Sequence, residues 1–545
     1  ARDTRHRPDD NPLLHFIEHR EQPGVFPSLP DQEATIPREI RRRTQPGPFF
    51  EEYRPLPDCA IRRALVLAYY LPQFHANPAN DAWWGKGFTE WTNVARGVPR
   101  FADHYQPRVP RDLGHYVLDD PAILRRQVEM ARRSGIDGFV FYFYWFNGQR
   151  LLDGPLEMLL AHTDIEMPFC LMWANENWSR RWDGSDDEVL IAQDYRDADD
   201  DALIACFARH MADPRYIRVD GRPLLKIYRP GAIPDAHRRI ARWRRLFRTD
   251  HQEDPIFVMA QAFGDDDPSA YGMDGAIEFP PHKVVGDCKL INDRLHVLDD
   301  DFTAQVYDYE DVVNRALALS PPDFPLIRTA APSWDNDARR QGHGLVLHGS
   351  TPPLYERWLS GLIAQARRTP FFGQPIVCVN AWNEWAEGAH LEPDLHFGAA
   401  YLNATARANP GFEQRNQQSR VLLVGHDAFP AGAQRLLLAI GRSLRAQHGV
   451  EVMFILLDDG ALLEDYRAIG AVELLQPARA ETQLRLKTLC REGFSTALMN
   501  SAASTPLAPD LAAAGIAFTL LQHELPSLLR QRALLTPLAR ARALA

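Results

Sequence analysis

The chain is 545 residues long, 45% hydrophobic, 24% charged and 10% aromatic, which excludes a largely disordered, collagen-like or disulfide-stapled protein. Domains hold about 100–200 residues and barrels up to about 250, so at least two domains are expected. Lys+Arg 61 against Asp+Glu 72 leaves a net charge of −11, which argues against nucleic acid as a partner because polyanion binders need a basic face.

The six cysteines, Cys59, Cys170, Cys206, Cys288, Cys378 and Cys490, are dispersed with no C-x-x-C pair and no zinc spacing, as in a reducing compartment. No run approaches the roughly 18 consecutive apolar residues of a membrane span. The Arg- and Pro-rich start lacks the apolar core of a signal peptide. A cytoplasmic protein with no membrane span is the expectation.

Residues 1–61 show no sustained period and read as an extended, poorly ordered arm with a short helix near 12–20. Apolar runs follow at 64–70, 138–145, 168–174, 223–228, 255–260, 275–279, 325–329 and 375–381. Amphipathic stretches at 120–134, 201–212, 234–247, 308–319 and 352–368 separate many of them. Fully apolar strands alternating with amphipathic helices imply a parallel sheet covered on both faces. Eight such units over 62–408 predict an α/β fold of the (β/α)8 TIM type. An open doubly wound sheet is disfavoured by the lack of a Gly-rich phosphate loop after Tyr70.

Residues 409–419, rich in Asn, Gln and Arg, read as a linker. Strands are expected beyond it at 421–424, 451–457, 471–475, 495–500 and 517–521, with a helix at 436–447. This predicts a smaller Rossmann-like α/β domain over 420–545, without the G-x-G-x-x-G dinucleotide fingerprint.

In a barrel, function gathers where strands end. Ten of the 12 tryptophans fall there, Trp83, Trp84, Trp91, Trp145, Trp173, Trp178, Trp182, Trp334, Trp382 and Trp385, against Trp243 and Trp358 on helices. Such rings suit stacking on the C–H faces of sugars, or they cap the barrel core. Two strand ends add carboxylates. Trp173-Ala-Asn175-Glu176-Asn-Trp178 follows the third strand, and Trp382-Asn383-Glu384-Trp385-Ala-Glu387 follows the eighth.

Glycosidic chemistry needs one carboxyl to protonate the leaving oxygen and a second to supply charge or take a proton. Glu384 and Glu387, three apart, would face opposite ways in a strand but one cleft in a tight turn. They are the candidate catalytic pair, expected beside Trp173, Trp178 and Tyr70, with the pKa of Glu387 raised. Tyr70, Gln73, His75, Glu90, Tyr144 and Asp335 complete the candidate binding set. No H-E-x-x-H, metal-ligand spacing or G-x-S-x-G occurs, so neither metal nor cofactor is expected.

Tyr69-Tyr-Leu-Pro-Gln-Phe-His75, Trp84-Gly-Lys-Gly-Phe-Thr-Glu-Trp91, the Phe139–Phe146 run, the Trp173–Trp182 stretch and Trp382–Gly388 together resemble the WbsX-like proteins of bacterial polysaccharide loci. Those proteins are related to glycoside hydrolase family 99, the endo-α-mannosidases. The resemblance covers about residues 62–405 and implies a (β/α)8 barrel acting on an oligo- or polysaccharide in O-antigen or capsule biosynthesis. It also implies retention through a 1,2-anhydro sugar of α-manno or α-rhamno configuration. Glu384 of the Glu-Trp-x-Glu motif would take the proton of the 2-hydroxyl, and Glu387 would protonate the leaving oxygen. The hydrolases usually carry His where this chain has Ala386.

Residues 420–545 resemble the first half of a GT-B glycosyltransferase at Leu422-Leu-Val-Gly-His-Asp427, Leu456-Leu-Asp-Asp-Gly460 and His523-Glu-Leu-Pro526. In that fold the second half holds most of a nucleotide-sugar, so 420–545 alone is not expected to be a competent transferase. A nucleotide-sugar nonetheless remains a candidate substrate. Hydrolysis and transfer stay open. So do a two-carboxylate retaining glycosidase using Glu176 with Glu384, and a non-catalytic glycan-binding scaffold.

Overall fold

The computed structural model describes residues 32–56, 62–179, 189–409, 420–448 and 450–521, which divide into two compact units. The first is built on eight strands, β1 (Leu65–Tyr70), β2 (Gly138–Phe146), β3 (Phe169–Trp173), β4 (Arg222–Ile227), β5 (Ile256–Gln261), β6 (Gly275–Glu278), β7 (Leu326–Ala330) and β8 (Ile376–Val379). Each pairs with the next, and β8 returns to β1, so the sheet closes. The seam is parallel between β1 and β2, from Leu67 opposite Gly138 to Tyr70 opposite Phe141.

All nine residues of β2, all five of β3 and all six of β5 are buried. A closed parallel sheet jacketed by helices has no solvated face, so its strands read as continuous apolar runs. The jacket includes Pro121–Arg132, Gly154–Ala161, Asp197–Met211, Ala236–Leu246, Tyr309–Ala318, Pro352–Arg368 and Ala400–Ala408. Gly154–Ala161 escaped the periodicity reading because its sequence, GPLEMLLA, is apolar almost all round.

Segment 32–56 corrects the expectation of an extended arm, since Gln32–Arg43 is helical, with Pro37 inside it. Glu51 then forms a parallel bridge with Gly398. The helix expected near 12–20 and nearly all of the 409–419 linker lie outside the described residues.

The second unit contains a parallel sheet of β9 (Arg420–Gly425), β10 (Glu451–Leu456), β11 (Ala471–Leu474), β12 (Thr496–Asn500) and β13 (Ala517–Leu521). Their spatial order is β11-β10-β9-β12-β13. Alternate residues of one strand feed different cores, Leu422 and Val424 one cluster and Leu423 the other, as the two-residue repeat of a sheet covered on both faces demands. Among the described residues no helix is long and apolar enough to cross a membrane.

Candidate active site

The chain leaves β8 through Asn380 and Ala381 and folds back on itself as a short antiparallel pair, Asn383 opposite His390 and Glu384 opposite Ala389. A 3-10 turn over Trp385–Glu387 closes the pair, and Gly388 ends it at φ +61°. Glu384 ends the strand arm and Glu387 ends the turn, and the reversal of the chain between them brings both to one side, which a continuous strand would forbid.

Both carboxylates meet one guanidinium. Arg339 donates from Nη2 to Glu384 Oε2 at 3.0 Å, pairs through Nη1 with Glu387 Oε1 at 2.5 Å, and donates from Nε to Glu90 Oε1 at 2.7 Å. Arg339 comes from the short helix Asp337–Arg340 beyond β7, and Glu90 opens the helix Glu90–Val94 beyond β1. The Glu90, Arg339 and Glu384 side chains are 0%, 9% and 5% exposed, whereas Glu387 keeps 20%.

One cation cannot neutralise three buried carboxylates, so full ionisation would leave net negative charge out of water. Burial pushes Glu384 up to about 8 against the pull of Arg339, and the charges of Glu387 and Glu90 add to the rise. Burial also raises Glu387 and Glu90, again against Arg339. The site thus holds at least one proton near neutral pH and can present both a carboxylic acid and a carboxylate.

Tyr142 and Tyr144 on β2 and Tyr228 just past β4 surround this cluster. Burial comes first in raising each phenol pKa, and the charges of both Glu384 and Glu387 contribute in all three. Tyr228 also feels Glu176, whose carboxylate pairs with Arg229 at 2.5 Å. Trp178 reaches the same region through Tyr144, ring centroids 5.3 Å apart.

Several expected binding residues are placed elsewhere. Tyr70 is fully buried, its hydroxyl donating to Gln127 at 2.8 Å and its ring packed on Phe139 and Phe141. Trp173 points outward onto the helices, against Phe207 and Trp243. Trp382 is fully buried beside Phe139. These three corrections share a cause, because an aromatic within or just after a barrel strand has more core to fill than cleft to line.

The amides are spent on backbone. Asn383 accepts from Leu71 N–H at 2.8 Å and donates to Leu71 C=O at 2.9 Å. Asn175 accepts from Arg229 N–H and donates to the Arg229 carbonyl and the Tyr195 hydroxyl. Trp385 donates its indole N–H to Glu392 at 2.7 Å and stacks on His390 at 3.7 Å. Trp91 donates to the Tyr116 carbonyl at 2.7 Å.

Asp335 lies away from the carboxylate cluster. It is 1% exposed and accepts from His104 and Gln106. Burial opposes its charge, yet His104 and Arg108 hold its pKa down to about 2. Gln73 is buried next to Asn80, Trp84 and Trp178. Trp84 lies against Phe88 at 5.7 Å, His75 is tied to the Pro72 carbonyl at 2.8 Å, and Trp334 is buried near His282. Trp182 lies outside the described residues.

Arg339, Tyr142 and Tyr228 were missed. Tyr228 stood at a strand end and could have been found by position, but Arg339 sits in a four-residue helix with no local signal. Among the described residues no group of three or more His, Cys, Asp or Glu could hold a metal ion.

The family model for glycosyltransferase WbsX matches residues 66–405. The protein WxcX from two strains of Xanthomonas campestris pv. campestris, B100 and ATCC 33913, is 44% identical over 345 residues. That match covers 63% of this chain and 49% of each relative, so the chain spans about half the length of the curated relatives it matches. Among solved structures, a GH99 endo-alpha-mannosidase from Bacteroides thetaiotaomicron is similar at 16% identity and a TM-score of 0.38, covering 63% of this chain and 95% of that one. A glycoside hydrolase-like protein aligns at 15% identity and a TM-score of 0.43, covering 69% and 98%.

Proposed function

The chain belongs to the WbsX glycosyltransferase family, and from that membership we propose that its barrel is a carbohydrate-active enzyme of bacterial surface-polysaccharide biosynthesis, with Glu384 and Glu387 as its reacting pair. The observation that carries this reading is one guanidinium, Arg339, bridging both carboxylates at the C-terminal end of β8, where barrel enzymes keep their chemistry.

In the proposed reaction the proton that burial leaves on the pair moves from Glu384 to Glu387 across their shared Arg339, and Glu384, now a carboxylate, accepts the proton of a sugar 2-hydroxyl. O2 attacks C1 of the same ring and the bond to the leaving oxygen breaks. Glu387 gives its proton to that oxygen. Water or an acceptor hydroxyl, deprotonated by Glu387, then opens the 1,2-anhydro ring at C1, and Glu384 returns the proton to O2. The configuration is retained. O2 must lie trans to the leaving group, which selects α-manno- or α-rhamno-configured sugars. The partial exposure of Glu387 beside the more buried Glu384 suits it to the group that meets both leaving oxygen and acceptor.

We read the second unit as the first half of a GT-B fold. Its support is the parallel order β11-β10-β9-β12-β13, which is 3-2-1-4-5 in chain order, the Rossmann arrangement.

The test is a mass-spectrometric product assay on the full chain, wild type against Glu387→Gln, with α-linked mannan and rhamnan oligosaccharides and with or without nucleotide-sugars. Shortened chains from wild type alone would make the barrel a hydrolase. Lengthened chains that need a nucleotide-sugar would make it a transferase. Glycan binding without turnover in any mixture would refute the catalytic reading in favour of a scaffold.

A further inference from the structure

Away from the carboxylate cluster, the segment after the helix Gln32–Arg43 walls off a cavity of about 470 Å3, a size typical of small-ligand sites. Glu90, Glu384, Glu387 and Arg339 are not among its lining residues, whereas Arg42, Arg43, Arg108, His348, His396 and Tyr105 are.

Its lining sets three arginines against two carboxylates, with Glu39 outside it 4.0 Å from Arg42. The two carboxylates in the lining are Asp103 and Asp335. Asp103 is shared by Arg42 at 2.5 Å and Arg43 at 3.3 Å. Asp335 is taken up by His104 and Gln106 and stands 3.9 Å from Arg108. Arg108 is 6% exposed and donates from Nη1 to Ser333 Oγ at 3.1 Å. Its buried Nε has no hydrogen-bond partner, nor has the buried Nε of Arg43. Buried donors without partners are costly. Burial first and the neighbouring Arg42 second lower the pKa of Arg43, against the pull of Asp103 and Glu39.

We propose that this cavity binds a small phosphorylated ligand, of sugar-phosphate or nucleoside-diphosphate size, clamped by Arg42, Arg43 and Arg108. Guanidinium forks match the oxygens of a phosphate in pairs, and three forks around one cavity suit a dianion better than a single carboxylate. The site is separate from the reacting pair but wired to it. A methyl group on Gly388 would come within 2.8 Å of the Arg108 guanidinium, Ser333 Oγ donates to the Gly388 carbonyl, and Gly388 follows Glu387 directly. A ligand that moves Arg108 therefore presses on the turn that aims Glu387.

Isothermal titration calorimetry on the full chain tests this with four probes, inorganic phosphate, pyrophosphate, uridine diphosphate and mannose 1-phosphate. Saturable one-to-one binding of at least one probe is expected in wild type and equally in Glu387→Gln. Arg42→Gln and Arg43→Gln should each weaken it about tenfold or more, the size of a lost charge-assisted contact. Arg42 is 59% exposed, so its variant keeps the test clean if Arg43→Gln fails to fold. Tighter binding of mannose 1-phosphate than of the diphosphate would support a sugar-phosphate ligand, and the reverse a nucleotide. No binding of any probe at millimolar concentration would overturn the proposal, as would binding that neither arginine variant changes. Loss of binding in Glu387→Gln would overturn it too, by placing the ligand at the carboxylates. These readouts need no turnover, so they stand apart from the fate of the glycosyl reading.

Discussion

Arg339 engages Glu90, Glu384 and Glu387 through three different nitrogens, and removing it would strand all three buried acids. Breaking a buried pair by deleting one partner costs about 3–5 kcal/mol, so Arg339→Met should lose about that much in urea unfolding. Arg339→Lys keeps the charge without the fork and should fall between the two. The raised acids also set a pH dependence. The Glu384 carboxyl titrates near 8 in the folded chain against about 4.3 when unfolded, so folding takes up a proton between those values. Stability then falls as pH rises across that window and levels off above it. Glu392, raised by burial to about 7, and Asp394, raised by burial to about 6, act in the same direction. Melting temperatures from about pH 5 to about 9 should therefore decline for wild type and decline less for Glu384→Gln. At this scale the motif made Glu384 and Glu387 visible beforehand. Arg339 stayed hidden because its partners lie 45 and 249 residues away.

The element that matters most is the tight reversal from Glu384 through the 3-10 segment Trp385–Glu387, because it brings the two glutamates to one guanidinium. Gly388 ends that turn at φ +61°, and a methyl there would meet the Arg108 guanidinium at 2.8 Å. Gly388→Ala should cost about 1–3 kcal/mol from strain and overpacking. It should also lower turnover more than substrate binding, by turning Glu387 away from Glu384. Gly373 is the matched control, at φ +81° with nothing within 4 Å of the added methyl. Gly373→Ala should lose about 1 kcal/mol and leave kcat unchanged. The barrel strands were legible because burial on both faces writes an unbroken apolar run. Gly154–Ala161 was not, because it is apolar almost all round, and Gln32–Arg43 was not, because the Pro37 inside it reads as a helix breaker.

At the scale of the whole molecule, each unit has its own sheet and its own buried apolar residues, the barrel strands in the first and two clusters flanking the sheet in the second. Calorimetry should resolve two thermal transitions, and a defect confined to one unit should move only one of them. Gly460→Val is such a defect, since an added Cβ would lie 2.5 Å from the Ala428 backbone. The transition it leaves in place should be the one that Arg339→Met lowers. The sequence alone determined the eight buried strands, their alternation with helices and the Glu-Trp-x-Glu motif, because each is local and written in a short period or spacing. Only the tertiary structure decided which polar groups face one another. It spent Asn175, Asn383 and Asp335 on backbone and neighbouring side chains and turned Trp173 outward. It also brought Arg339 from beyond β7 to Glu90 from beyond β1, since charge pairing and burial depend on distances that closing the barrel creates and no stretch of sequence encodes.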